Sequence, residues 1–196
     1  MTPEEKSQIA KAMKATREKA RGYADFFGWA TDRDLEEWGV LKSLFESMEM
    51  NKSLPYKDLR MRGRGNDPPD CEAVDARSRR VAIEVTELVE GEAIKRAKAG
   101  AQYDWEEWNC EKFLNRLQGL LVQKDSKFPK LKDPPYEGGY SVVVFTDEPE
   151  LPANKVKEYL EGHTFAGLEN ISETIFLVSY DPQENCCPYF PLQICS

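Results

Sequence analysis

The stretch that decides the fold is PPDCEAVDARSRRVAIEVTEL, residues 68–88. Two prolines drive the chain into an extended path, because the residue before a proline avoids helical angles. A strand over 70–75 then leads through Ala76, Arg77, Ser78 and Arg79 into a second strand over 80–88. Side chains alternate across a sheet, so Asp70 and Glu72 share one face of the first strand. On the return strand Ala82, Glu84 and Thr86 share a face, and Val81, Ile83 and Val85 share the other. The second set needs a covering helix, and the apolar helix expected over 104–123 is available for it. A turn centred near residues 77 and 78 places Glu84 opposite residue 71 or 72, with Asp70 as a diagonal neighbour. Two bare carboxylates about 4 Å apart repel by roughly 4 kcal/mol at an effective dielectric near 20. Water, a basic side chain, a shared proton or a divalent cation must therefore relieve such a pair. Oxygen-only ligands select Mg²⁺ or Mn²⁺ over zinc.

The surrounding chain reads as alternating helices and strands. Thr2-Pro3-Glu4-Glu5 is a capping-box start for a helix running to about Arg21 and stopped by Gly22. Lys11 and Lys14 lie with Arg17 and Arg21 on one stripe of it. The aromatic connector YADFFGWA follows, and Thr31 caps a second helix whose Leu35, Trp38, Leu41, Leu44, Phe45 and Met48 recur at helical spacing as one buried stripe. Residues 51–67 hold an early strand or loop and the basic tract RMRGRGND. After the hairpin comes helix, interrupted near Gly100, then the interior strand YSVVVFTDEP, a short helix ANKVKEYLEGH and a second buried strand ETIFLVSYDP. The last two strands are joined by a helix and so parallel, and the tail CCPYFPLQICS supplies an edge strand. This order implies an α/β fold, a mixed sheet with helices on both faces.

Composition excludes several classes of function. The chain has 196 residues, 40% hydrophobic and 32% charged, as in globular rather than disordered proteins. No apolar run is long enough to cross a bilayer, and MTPEEKSQIAKAMK lacks the apolar core of a secretory signal, so the cytoplasm is the expected location. Five cysteines without CxxC spacing argue against a disulfide framework and a zinc knuckle. The single histidine, His163, rules out a multi-histidine zinc site and reads as a helix-end contact. A net charge of −8 opposes indiscriminate nucleic-acid binding, but the cations are clustered. Lys11, Lys14, Arg62, Arg64, Arg77 and Arg79 are the candidate contacts of a basic track on an acidic body.

Pro69-Asp70, a hairpin, and then Glu84-Val85-Thr86 resemble the PD-(D/E)xK nuclease superfamily, with its three-layer restriction-endonuclease-like fold. The resemblance covers the core elements over roughly 31–147, and the chain divides on this reading into an N-terminal helical extension over 1–30 and a nuclease-like domain over 31–196. It implies Asp70, Glu84 and the Val85 carbonyl as ligands of Mg²⁺ or Mn²⁺, with Glu72 as a further acid at the metal. It also implies an acidic residue on the first core helix, Glu37, with Glu36 second. The departure is Thr86, which stands where the family usually has lysine and cannot supply positive charge. Lys95, Lys98 or Lys112 from the following helix could substitute, and Gln118 could position a water or phosphate. The function so implied is a divalent-metal-dependent endonuclease acting on phosphodiester bonds of DNA, a more natural partner than RNA, with a homodimer admitted. Two alternatives stay open: a catalytically degenerate nuclease-like module that binds nucleic acid or protein, and a protein-binding module using the aromatic surface from Tyr23 to Trp29.

Overall fold

The computed structural model describes Ala24 and residues 33–63, 65–99 and 107–195. The expected helix over 2–21 with Lys11 and Lys14, Arg64, and the connector apart from Ala24 all lie outside the described residues.

In chain order the elements are α1 (Arg33–Met50), β1 (Tyr56–Met61), β2 (Cys71–Asp75), β3 (Arg80–Glu87), α2 (Gly91–Lys98), α3 (Cys110–Asp125), β4 (Gly139–Thr146), α4 (Ala153–Leu160), β5 (Thr164–Ala166), β6 (Glu173–Val178), β7 (Tyr189–Pro191) and β8 (Gln193–Cys195). The main sheet runs β1-β2-β3-β4-β6-β7, and β5 pairs with β8 separately. β1, β2 and β3 are antiparallel neighbours, β3-β4 and β4-β6 are parallel, and β7 returns antiparallel along β6. The chain is thus an α/β protein with a mixed six-stranded sheet. The two late strands are parallel as expected, with α4 between them, and the tail contributes the edge strand β7. Among the described residues no helix is long and apolar enough to cross a membrane.

Turn chemistry sets the hairpin. The Asp75 carboxylate accepts the Arg77 and Arg79 backbone N–H groups at 2.9 and 2.8 Å, and Ser78 takes the left-handed conformation at φ 61°. At the entry to β4 the chain passes so close to β3 that a Cβ on Gly138 would lie 2.6 Å from Val81 Cγ2. One on Gly139, at φ +105°, would lie 2.2 Å from Ser172 Oγ.

Two apolar layers sandwich the sheet. On one side Val40, Leu41, Leu44 and Met48 of α1 pack on Cys71, Ala73, Val81, Ile83, Val85, Val143 and Phe145. On the other, Phe113, Leu117 and Leu121 of α3 and Val156 of α4 pack on Ala82, Tyr140, Val142, Val144 and Phe176. This corrects the expected pairing of faces. The helix over Val81, Ile83 and Val85 is α1, and α3 covers the opposite face. The expected helix over 104–123 is itself shorter, starting where the Asn109 side chain accepts the Lys112 backbone N–H at 2.8 Å.

The buried stripe of α1 is also turned from the expected one. Leu35 and Trp38 are 53% and 40% exposed, while Glu37, Val40, Leu41, Leu44, Ser47 and Met48 face inward. An acid holds a place in the apolar stripe because Arg33, one helical turn earlier, donates to its carboxylate.

Candidate active site

β2 begins at Cys71, and there the ladder with β3 stops. Cys71 pairs with Ile83, so Asp70, one residue earlier, comes level with Glu84, one residue later. The expected register was one or two residues off, and the two acids are direct rather than diagonal neighbours. Beyond the end of β2, the Val85 backbone groups lose strand partners and must be satisfied otherwise. The Asp70 carboxylate accepts the Val85 N–H at 2.8 Å. The Val85 carbonyl accepts from the Lys124 ammonium at 3.1 Å, and the same ammonium donates to Glu84 Oε2. Asp70, Glu84 and Lys124 are 4%, 3% and 5% exposed.

Lys124 comes from the last turn of α3, and that turn is firmly held. Its own backbone carbonyl accepts the Tyr140 hydroxyl at 3.3 Å. The neighbouring Asp125 carboxylate accepts the Asn170 and Ile171 backbone N–H groups at 2.8 and 3.0 Å. Burial pushes the Asp125 carboxyl up, but these hydrogen bonds outweigh it and hold it below the usual range. The ammonium is therefore placed by structure on both sides rather than by a flexible reach.

From the opposite layer, α1 brings Arg33 and Glu37 toward Asp70. Arg33 Nη2 lies 3.4 Å from Asp70 Oδ1 while its Nε bonds Glu37. Burial and then the Asp70 charge push the Glu37 carboxyl up to about 7, against the pull of Arg33. Asp70 itself is pushed up, first by burial and then by Glu84, while Lys124, the Val85 N–H and Arg33 oppose the shift. With every group ionised, the carboxylates of Glu37, Asp70 and Glu84 outnumber the cations Arg33 and Lys124 by one charge. The cluster is short of one proton or one cation.

The other residues singled out in the sequence lie elsewhere. Glu72 pairs with Arg62 and with Arg80 at 3.0 Å, and accepts the Tyr136 hydroxyl at 3.1 Å. Burial raises its carboxyl, but those partners outweigh it and hold it low, so it is spent in a separate ionic network. Arg62 is consumed there too, its side chain 10% exposed and also bonded to Asp133, which removes it from a phosphate-contacting surface. Arg77 and Arg79 sit at the hairpin tip, about 16 Å along the strand from Glu84 at ~3.3 Å per residue. Arg79 is paired with Asp75 at 2.8 Å.

None of the lysines offered in place of Thr86 is seen at Glu84. Lys95 pairs with Glu92 on the surface of α2, and Lys98 is exposed at its end. Lys112 lies over the Trp108 ring and 3.6 Å from Glu90. Gln118 bonds the Ala166 backbone at 3.0 and 3.3 Å and ties α3 to β5. Thr86 is half-buried on β3 beside Val144 of β4, and Glu36 is half-buried on α1, off its inward face.

Lys124 and Arg33 were missed, and Lys124 left a signal. Phe113, Leu117 and Leu121 form the buried stripe of α3, and Lys124 is its next position. A lysine continuing an apolar stripe must find a buried acid or leave the interior.

Could these residues hold a metal? Among the described residues no group of three or more His, Cys, Asp or Glu side chains is arranged to do so. The oxygen set is smaller: two carboxylates, Asp70 and Glu84, and the Val85 carbonyl. These donors suit a hard cation, and Glu84 and Val85 already converge on one cationic group, the Lys124 ammonium. Comparisons with protein-family models, curated proteins and solved structures find no match.

Proposed function

We propose that this protein is a divalent-metal-dependent nuclease of the PD-(D/E)xK kind, hydrolysing DNA phosphodiester bonds, in which Lys124 carries the charge that Thr86 cannot. The observation that supports it is the convergence of Asp70, Glu84 and a buried lysine at one backbone carbonyl. Asp70, Glu84 and the Val85 carbonyl would hold Mg²⁺ or Mn²⁺, with Glu37 behind Asp70. When bound, the ion would supply a Lewis acid to offset charge on the scissile phosphate and to make a nearby water more acidic. Lys124 orients a water toward phosphorus and stabilises the oxyanion charge that develops, a role that needs a preorganised cation at low dielectric. Arg33 restrains the Asp70 carboxylate, and Glu37 is poised to take or give a proton near neutral pH.

A second reading has its own support. The Lys124 ammonium closes on both Glu84 and Val85, and a site so filled suits a degenerate module that binds nucleic acid or a protein without cutting. Nicking of supercoiled plasmid with Mg²⁺ or Mn²⁺, against a chelator control, separates the two. The nuclease reading expects metal-dependent nicking that is lost in Asp70→Asn and Glu84→Gln and reduced at least a hundredfold in Lys124→Met. Nicking that survives Asp70→Asn and Glu84→Gln, or none by the wild-type protein with either metal, rejects it.

A further inference from the structure

The chain after Lys124 turns back beside the loop that carries Asp70. Residues Phe128–Lys130 form a single 3₁₀ turn, closed by Lys130 N–H to the Lys127 carbonyl at 2.8 Å. The Lys132 backbone N–H then donates to the Pro68 carbonyl at 2.8 Å, and Lys132 Nζ donates to the Gly65 carbonyl at 2.8 Å. The turn is therefore fastened to the loop that ends at Asp70, with Lys124 at its other end.

Its outward side is basic, without neutralising partners among the described residues. Lys127 is half-buried and Lys130 exposed, and neither forms an ion pair or side-chain hydrogen bond among the described residues. The acids nearest in sequence are already engaged: Asp125 by Asn170 and Ile171, and Asp133 by Arg62. Between the two lysines Phe128 is 37% exposed, its ring tilted 5.7 Å from that of Tyr140. A chain of net charge −8 repels a polyanion over most of its surface, so an approach needs a local opening of this sign.

We infer that the Lys127–Lys132 turn is the phosphate-backbone contact of this protein, carrying one strand of nucleic acid across Lys127 and Lys130 beside Asp70, Glu84 and Lys124. This rests on the nuclease reading above and relocates the basic track from the hairpin tip, where Arg79 is paired internally. The partner chemistry is a run of phosphodiesters. A single phosphomonoester would need a closed cradle of donors, whereas these two cations lie along an open surface.

The experiment is the salt dependence of binding to a fluorescent 20-base-pair duplex without divalent metal, so that nothing is cut. Each phosphate contact contributes about 0.9 to the slope of log affinity against log salt. Lys127→Gln/Lys130→Gln should flatten the wild-type slope by about 1.8, so that its affinity falls about twelvefold less between 50 and 200 mM salt. A control pair on other faces, Lys52→Gln/Lys157→Gln, should leave the slope unchanged. An unaltered slope in the first variant, an equal flattening in the control, or no duplex binding by the wild type at low salt overturns the inference. The two readings fail separately. Plasmid nicking that depends on Asp70 and Glu84 together with an unaltered slope removes the contact surface only, and a flattened slope without nicking removes catalysis only.

Discussion

Substituting Lys124 by methionine keeps the length of a buried side chain and removes its charge. The Lys124 and Glu84 side chains are 6% and 4% exposed, so little solvent screens what remains. Breaking one partner out of a buried ion pair costs about 3–5 kcal/mol, since the other charge stays desolvated. With a urea m-value of about 2 kcal/mol/M, the unfolding midpoint should fall by roughly 1.5–2.5 M. Equilibrium unfolding followed by tryptophan fluorescence in a chelator measures it. Two further measurements identify the cause. Adding Glu84→Gln should restore part of the loss, because matched removal of both charges is often nearly neutral. Mg²⁺ or Mn²⁺ at a hundred times its dissociation constant should return about 2.7 kcal/mol to the single variant, by occupying oxygens the ammonium has left. A Lys124→Met protein within 1 kcal/mol of wild type would refute the buried pair. Equal metal stabilisation with and without Glu84→Gln would refute the ion's placement there.

Two other outcomes follow from the same geometry. The Glu37 carboxyl is held up to about 7 from an ordinary value of 4.5, so the unfolded chain gives up this proton first as pH rises. Its contribution to stability is full below about pH 4.5 and lost on passing about pH 7, on the order of 3 kcal/mol in all; denaturant titrations at several pH values should show this fall flattened in Glu37→Gln, and an identical slope would reject it. Gly119 lies inside α3 with nothing within 4 Å of where a Cβ would stand, so Gly119→Ala should raise stability by about 0.5–1 kcal/mol, read as a higher urea midpoint.

The hairpin was legible because a period of two survives almost any context, and it alone places Asp70 and Glu84 on neighbouring strands. Their register was not, since the Asp75 carboxylate and the left-handed Ser78 set the turn in a way that residue types do not announce. The choice of covering helix was hidden for another reason. β4 is buried on both faces, so Val142 and Val144 look no different from Val143 and Phe145, yet the first pair meets α3 and the second meets α1. Reversing that choice decides the site, because it turns Glu84 toward α3 rather than α1.

The acid that Lys124 meets could be named only after that reversal. At the end of a helix a lysine ordinarily answers the dipole and the solvent, and nothing in VQKDSKF separates this one from Lys127. Its place in line with Phe113, Leu117 and Leu121 becomes informative once α3 is known to lie over the Glu84 face. On the proposed reading the position of the charge matters and its position in sequence does not. Thr86 and Glu84 are two residues apart on one strand, so a lysine at 86 would project into the layer between β3 and α3. Lys124 delivers its ammonium to that same layer from the helical side, 40 residues after Glu84 in the chain. The two routes differ in rigidity. A strand lysine reaches the carboxylates along its own four-carbon stem. Lys124 is held by a helix end whose carbonyl and next carboxylate are bonded to Tyr140, Asn170 and Ile171, so movement of the 168–172 segment would move the ammonium with it. The Asn170 side-chain amide also donates to Asp125 Oδ2 at 2.9 Å. Asn170→Ala, which removes that bond and keeps the backbone ones, should therefore loosen the anchor and weaken any metal-dependent cleavage while leaving Asp70 and Glu84 in place, a dependence that a lysine borne on β3 would not have.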